Sequence, residues 1–218
     1  MYRLAIFDFD GTLADSAHWF VEAMNAAAPR FGYARLSAEE VEALRGVSNR
    51  EIVRRLGIPA WKMPAIARHF RAEAERAAGS IRLFPGAAEA LRALSARGVA
   101  LAIVSSNSEA TIRRVLGPDL AALVSHYGCG ASLFGKAAKL RRAVRRSGIP
   151  AYSAVAIGDE ARDIEAAREA GLEAAAVLWG FASRGALAPL RPAHLVGSFA
   201  ELVDAVTAPP GQIAQAAS

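Results

Sequence analysis

The sequence has little cysteine and no long apolar run. Cys129 is the only cysteine among 218 residues, so no intrachain disulfide can form and a reducing environment is expected. No window approaches the ~18 uninterrupted apolar residues of a membrane-spanning helix, and Asp8 interrupts the first apolar stretch too early for a secretory signal. We therefore expect a cytoplasmic protein with no membrane partner.

Lysine is also scarce, because only 3 of the 26 basic residues are lysines and the arginines are scattered along the chain. The formal net charge of +5 raises the question of a nucleic-acid partner. The one basic run, residues 136–146, contains an apolar stripe at Leu140, Ala143 and Val144 and no interleaved aromatic residue. This pattern favours a solvated helix face, so no nucleic-acid partner is expected. A non-catalytic nucleic-acid-binding module stays as the alternative from another class of protein.

Apolar runs alternate with helix-period segments along most of the chain, and 53% of the residues are apolar. Strands are predicted at residues 4–9, 101–104, 154–157 and 174–178, with weaker ones at 123–127 and 194–196. Helices, several of them closed by glycine, are predicted at residues 86–97, 109–116, 135–147 and 160–170. This alternation is typical of an α/β fold with a Rossmann-like parallel sheet.

One stretch breaks the alternation, because residues 16–79 show helical periodicity without a convincing strand. A crossover between parallel strands needs only about a dozen residues, so we interpret this stretch as an inserted all-α cap. The predicted domains are a core of residues 1–15 and 80–206, the cap of residues 16–79, and a disordered tail of residues 207–218. Asp15 and Ser16 are expected to cap the first helix of the insert.

Aspartates are few and unevenly placed. Five of the seven lie in two short segments about 150 residues apart: Asp8, Asp10, Asp15, Asp159 and Asp163. Both segments follow predicted strands, and ligands bind at the carboxyl ends of parallel strands. Two carboxylates ~4 Å apart repel by ~4 kcal/mol, which a divalent cation would offset. Oxygen ligands favour Mg²⁺, and the four histidines are too far apart in sequence to suggest a competing site.

Groups that suit a phosphate follow at the same predicted rim. Ser105, Ser106 and Asn107 come after the second strand, and Lys136 opens a helix directly after a glycine. Hydroxyls, helix-start amides and an ammonium group bind phosphate oxygens. Lys139, one helical turn further on, stays an alternative to Lys136. Together with the carboxylates, these groups suit phosphoryl transfer to and from a carboxylate nucleophile.

In this order the segments resemble the four motifs of the haloacid dehalogenase-like (HAD) superfamily of phosphohydrolases. The matching segments are Asp8-Phe9-Asp10-Gly11-Thr12-Leu13, then Ser105 after Ala102-Ile103-Val104, then Lys136, and last Gly158-Asp159-Glu160-Ala161-Arg162-Asp163. The resemblance extends from Tyr2 to about Gly180. The helical insert resembles the small cap of the phosphoglycolate phosphatase and β-phosphoglucomutase subgroup.

The resemblance implies a role for each motif residue. Asp8 would attack phosphorus and form an aspartyl-phosphate, while Asp10 would protonate the leaving alcohol and then activate water. Asp8, the Asp10 carbonyl and Asp159 would hold Mg²⁺, with Asp163 assisting directly or from behind. The transferred phosphoryl group would be held by Ser105, Lys136 and the main-chain amides near Ser106 and Asn107.

A glycine-containing break within the insert, at residues 44–50, resembles the substrate-specificity loop of the same subgroup. Arg45 or Arg50, on either side of Gly46, would bind an anionic part of the substrate. The alternative is that both are ordinary surface arginines in an arginine-rich chain.

The resemblance thus implies a Mg²⁺-dependent phosphatase of a small phosphorylated metabolite, with phosphoglycolate as the first candidate. Asp10 argues against the dehalogenases of the superfamily, and Lys62 is the only lysine in the insert that a phosphonate-cleaving relative could use. A phosphosugar mutase of the β-phosphoglucomutase type stays open, although Thr12 and Phe20 replace the valine and histidine of that relative. Both a monomer and a homodimer are compatible with the sequence.

Overall fold

The structure is a computed structural model that describes residues 1–44, 47, 49–130 and 135–208, without the side chains of residues 49 and 50. Arg45, Gly46 and residues 209–218 of the predicted tail therefore lie outside the described residues, as does the side chain of Arg50. In the described part, no helix is both long and apolar enough to cross a membrane.

The described residues form eight strands and ten helices, besides short 3₁₀ turns. The strands are β1 (Leu4–Phe7), β2 (Ala14–Asp15), β3 (Arg82–Leu83), β4 (Ala100–Val104), β5 (Val124–Gly128), β6 (Ala154–Gly158), β7 (Glu173–Val177) and β8 (His194–Val196). The helices are α1 (Ala17–Phe31), α2 (Ala38–Leu44), α3 (Asn49–Arg55), α4 (Met63–Ala77), α5 (Ala87–Ala96), α6 (Glu109–Leu123), α7 (Lys136–Ser147), α8 (Ala161–Ala170), α9 (Arg184–Leu187) and α10 (Phe199–Thr207).

Six strands form one sheet in the order β5-β4-β1-β6-β7-β8, and every pair of neighbours is parallel. This confirms the predicted α/β class and the six predicted strands. The first strand is shorter than predicted, because it ends at Phe7 and the chain turns at the following aspartates. Strand β1 lies between β4 and β6 and is parallel to both, so the carboxyl ends of these three strands are adjacent.

Helices cover both faces of the sheet, which explains why its strands are apolar runs without alternation. Along β1, Ala5 and Phe7 face a layer that includes α5, α6 and α10, while Leu4 and Ile6 face a layer that includes α7 and α8. All four side chains are at most 1% exposed. The period of two along a strand divides the core into these two layers.

The residues between β2 and β3 include four helices, α1 to α4, with a small apolar cluster of their own. Met24, Leu56, Ile58 and Ile66 are its buried members. The two-residue strands β2 and β3 pair antiparallel, so the start and end of this helical insert lie side by side. The sequence did not indicate this ribbon, because two residues are too few to show a period.

Helix α6 differs from its prediction. A helix ending at Gly117 was expected, but the chain kinks there and then continues in helical form to Leu123. Gly117 adopts φ +73° and ψ 167°, which interrupts the helix. Pro118 restarts it, because its missing N–H and fixed φ suit the first position of a helix.

Candidate active site

The carboxyl ends of β1, β4 and β6 meet at the centre of one sheet edge. The first residues after these strands are Asp8, Ser105 and Asp159, and all three are buried. Lys136 is the first residue of α7. Residues from four separate parts of the chain are therefore adjacent at the point where crossovers diverge, as is typical of ligand sites in open α/β sheets.

Three buried carboxylates lie close together at this edge. Asp8, Asp159 and Asp163 each offer an oxygen, and these oxygens lie within 4.8 Å of one another. The ammonium group of Lys136 lies between two of them, with Nζ 2.7 Å from Asp8 Oδ2 and 2.6 Å from Asp163 Oδ1. Burial would lower the pKa of Lys136, but Asp163 and Asp8 raise it above its usual value, so the side chain stays charged.

Two hydrogen-bond donors hold Asp159, and one of them, Thr12, belongs to the segment of residues 8–13. The hydroxyl of Thr12 donates to its Oδ1 at 2.8 Å, and the backbone N–H of Phe181 donates to its Oδ2 at 2.8 Å. Burial, together with the charges of Asp163 and other neighbouring acids, raises the pKa of Asp159 well above its usual range. The two donors fix the orientation of a carboxylate whose negative charge is only partly compensated.

Asp163 is anchored at the start of α8. Its Oδ2 accepts the backbone N–H groups of Asp159 at 3.1 Å and Glu160 at 3.0 Å, while the Glu160 side chain caps the helix in return. Such a reciprocal pair is a capping box, which satisfies N–H groups left free at a helix start. Burial opposes ionisation, but Lys136 and Arg162 outweigh it and lower the pKa of Asp163.

Asp10 lies apart from the three-carboxylate group and has its own donors. Ser16 Oγ donates to Asp10 Oδ1 at 3.0 Å, and Asn107 Nδ2 donates to Asp10 Oδ2 at 2.8 Å. Burial raises the pKa of Asp10 to about 6, and the charge of Asp8 contributes in the same direction. The expectation that the Ser16 side chain caps α1 is wrong, because its hydroxyl makes no capping bond and turns towards Asp10.

The predicted phosphate-binding residues differ in their surroundings. Ser105 is buried and its Oγ accepts the N–H of Asn107 at 3.1 Å, whereas Ser106 is exposed. Lys136 contacts the carboxylates, and Lys139 instead donates to the carbonyl of Cys129. The geometry therefore favours Lys136 over Lys139 as the lysine of this site.

Arg162 is a charged neighbour that the sequence argument did not single out. It pairs with Glu160 at 2.5 Å, and its charge acts on the carboxyl groups of Asp8, Asp10 and Asp163. Like Thr12 and Ser16, it lies within or beside the motifs. Nothing in the sequence alone distinguishes such residues from ordinary helix-start polar groups.

The loop after β7 closes one side of the site. Trp179 Nε1 donates to the Thr12 carbonyl at 3.0 Å, and the Phe181 ring lies 6.3 Å from the Phe20 ring of the insert. Gly180 fits against Asp159 so closely that an added Cβ would lie 2.3 Å from the Asp159 Cβ. This close approach requires a residue without a side chain.

Comparison with known proteins agrees with this geometry. Residues 5–177 match the family model described as haloacid dehalogenase-like hydrolase. The chain belongs to the haloacid dehalogenase-like hydrolases.

Among its relatives, the chain is 38% identical over 203 residues to a phosphoglycolate phosphatase from Synechococcus elongatus, covering 93% of this chain and 96% of the relative. A phosphoglycolate phosphatase from Xylella fastidiosa is 30% identical over 195 residues, with 83% and 82% coverage. A haloacid dehalogenase-like hydrolase from Streptococcus pneumoniae shares the fold, with a TM-score of 0.77, 20% identity, and 93% and 97% coverage. Within the family, the chain is a phosphatase.

The contact between Gly180 and Asp159 leads to a prediction. In Gly180→Ala the new methyl group displaces Asp159 or the loop, so we expect the catalytic rate to fall by roughly tenfold or more and stability by ~1–3 kcal/mol. Steady-state phosphatase assays and urea unfolding measure both effects. Gly79→Ala is the control, because no atom lies within 4 Å of the added Cβ and little change is expected. Unchanged activity in Gly180→Ala would contradict the assigned packing.

Proposed function

We propose that the protein is a Mg²⁺-dependent phosphatase that hydrolyses a small phosphorylated metabolite through an aspartyl-phosphate on Asp8. Phosphoglycolate is the first candidate substrate, because two relatives with this activity align over most of the chain. The observation on which the proposal rests is the contact of Asp8 with Lys136 inside a group of buried carboxylates.

The surroundings of Asp8 suit a nucleophile. Its Oδ1 accepts the N–H of Phe9 at 2.8 Å, and its Oδ2 lies against Lys136. One oxygen is thus fixed while the other faces a cation that can also hold a transferred phosphoryl group. The hydroxyl of Ser105, at the end of the adjacent strand β4, is proposed as a further phosphate donor, with the amides near Ser106 and Asn107.

The donor set fits Mg²⁺. Three buried carboxylate oxygens lie within 4.8 Å of one another, and burial raises the pKa of Asp159 and, against the opposing charge of Lys136, that of Asp8. A further cation would stabilise the ionised carboxylates. We propose that Asp8, Asp159 and the Asp10 carbonyl hold the ion and that Asp163, already bonded to Lys136 and two backbone N–H groups, supports it from behind. When bound, the ion supplies positive charge that stabilises phosphoryl transfer.

Asp10 is proposed as the general acid and then the general base. It is partly buried, and desolvation and the charge of Asp8 raise its pKa to about 6, so it can give a proton to a leaving alcohol and later take one from water. Ser16 and Asn107 hold its carboxyl group in place from two sides. Its carboxyl group is not one of the three whose oxygens lie within 4.8 Å of one another, which leaves it free for proton transfer.

The helical insert is proposed to act as the cap, with the domain boundaries predicted from the sequence. Arg45, Gly46 and Arg50 would form its substrate loop, where an arginine could bind the carboxylate of a substrate such as phosphoglycolate. Lys62 donates to the Phe31 carbonyl at 2.7 Å within the insert. Because its ammonium group is engaged there, we do not assign it a covalent role in phosphonate cleavage. We further propose a cytoplasmic location, as a monomer or homodimer.

The nucleophile assignment leads to a direct prediction. Asp8→Asn should lower the turnover of p-nitrophenyl phosphate on the order of 10³-fold or more, because an amide cannot form the acyl-phosphate. Asp204→Asn makes the same chemical change at an exposed site on α10 and should keep full activity. Circular dichroism checks that both variants are folded. Substantial turnover by folded Asp8→Asn would refute the mechanism.

The two neighbouring lysines provide a matched pair of variants. Lys136→Met removes the ammonium group between Asp8 and Asp163, so we expect a loss of ~10²–10³-fold in kcat/KM. Lys139→Met removes only a bond to a backbone carbonyl outside the carboxylate group and should retain most activity. Equal losses in the two variants would argue against Lys136 as the phosphate-binding lysine.

A substrate screen tests the reaction itself. With Mg²⁺, phosphoglycolate should release phosphate faster than other phosphorylated metabolites, and a chelator should abolish release until Mg²⁺ is restored. Supplying β-glucose 1-phosphate with a bisphosphate primer tests the mutase alternative in the same series. Isomerisation of the sugar phosphate instead of phosphate release would show a mutase and refute the phosphatase proposal. Activity that the chelator does not affect would refute the proposed Mg²⁺ dependence.

A further inference from the structure

A cavity of about 460 Å³, partly open to solvent, lies at the other end of the sheet from the carboxylate group. It is lined by residues at the starts of β1, β4 and β5 and by the last turns of α7. Its apolar side chains are Leu4, Ala100, Ala102 and Ala143. Three alanines on the facing strand and helix leave room that larger residues would fill, and the volume is in the range of small-molecule sites.

The polar side of the cavity contains a histidine without a hydrogen-bond partner. His126 Nε2 is buried, and no group in the described part of the chain bonds to it. By contrast, the neighbouring hydroxyls are satisfied, since Ser125 donates to the Leu101 carbonyl and Ser147 to the Val144 carbonyl. A buried polar atom left unpaired is uncommon and suggests a missing ligand or water.

A bulge in the sheet positions this histidine. The register between β4 and β5 shifts, so that Leu101 pairs with Val124 while the next residue, Ala102, pairs with His126. Ser125 is the extra residue, and the shift places His126 beside Ala102 on the cavity side. Bulges often redirect a side chain near a binding site.

Two arginines contribute positive charge near His126. Arg146 lines the cavity, and within the described residues it forms no ion pair. Burial lowers the pKa of His126, and the charges of Arg146 and Arg142 lower it further, against a smaller opposite effect of Glu109. Two arginines whose effect on His126 outweighs that of Glu109, together with an unpaired imidazole nitrogen, favour an anion.

We propose that this cavity is a second ligand site that binds a small organic anion. The phosphate or carboxylate group of the anion contacts His126 and Arg146, and its apolar part packs against the three alanines of the cavity. The site is separate from the phosphatase centre. It therefore stands or falls independently of the proposed reaction.

The test titrates the wild-type protein with phenylphosphonate and, separately, with benzoate while the ring signal of His126 is followed by NMR. We expect a saturable shift of His126 that Lys136→Met leaves unchanged, because that variant weakens phosphonate binding at the carboxylate group and does not touch the cavity lining. A response to phenylphosphonate alone assigns the ligand to phosphate compounds, and a response to both, or to benzoate alone, includes carboxylates. No saturable shift with either compound at tens of millimolar would refute the proposal.

Two arginine variants separate a built site from general surface charge. Arg146→Gln should weaken binding roughly tenfold, because it removes a charge-assisted hydrogen bond. Arg145→Gln is the matched control on the same helix, since Arg145 is exposed like Arg146 but does not line the cavity, and it should bind nearly as wild type. Calorimetric titration measures both. An equal loss in the two variants would mean attraction to the basic helix alone and would overturn the site.

Discussion

The ammonium group of Lys136 between Asp8 and Asp163 is the interaction on which the rest of the site depends. Without it, buried like charges would repel by several kcal/mol per pair even at an effective dielectric constant near 20. Burying such a cluster lowers the stability of the fold, because each buried charge loses its hydration. The fold tolerates the cluster because one cation serves two carboxylates and because Asp163 also accepts backbone N–H groups at the start of α8.

The sheet order explains how distant parts of the chain meet at that lysine. Because β1 has β4 on one side and β6 on the other, the residues that directly follow these strands are neighbours. The packing that fixes the strands, with side chains alternating between two buried layers, therefore also fixes the spacing of the reactive groups. Precision at the site is a consequence of rigid strand ends and not of the loops alone.

Much of this architecture could be predicted from the sequence, because buried parallel strands are apolar runs and the aspartates follow them directly. The strand at residues 194–196 was predicted with its observed ends. The ribbon of β2 and β3 could not be predicted, since it is set by pairing over a long sequence separation. Ser16 was misassigned for a related reason: a serine before a helix normally caps it, and only the tertiary structure brings Asp10 within reach of its hydroxyl.

The same limit applies to the details of the carboxylate group. The sequence indicates that acids after β1 and β6 lie at one sheet edge, but not which of them form the close group. Nor does it indicate that Asn107 bonds to Asp10 or that Thr12 and the Phe181 amide hold Asp159. These bonds join residues from separate elements, so no local sequence pattern predicts them. The choice between Lys136 and Lys139 likewise depended on which side of α7 faces the strand ends.

The ribbon has a consequence for how this protein can change over evolution. Asp15 pairs with Arg82, so the chain leaves the core and returns to it at one place. Because the two ends of the insert are adjacent, its size does not change the distance between the core residues that it joins. This is the condition under which whole domains are inserted or removed without unfolding the host domain. The helices between these residues can therefore be exchanged as a unit, provided that the new segment keeps a donor for Asp10 in place of Ser16. If the insert is the proposed cap, such an exchange would change the substrate preference while the strand ends stay the same.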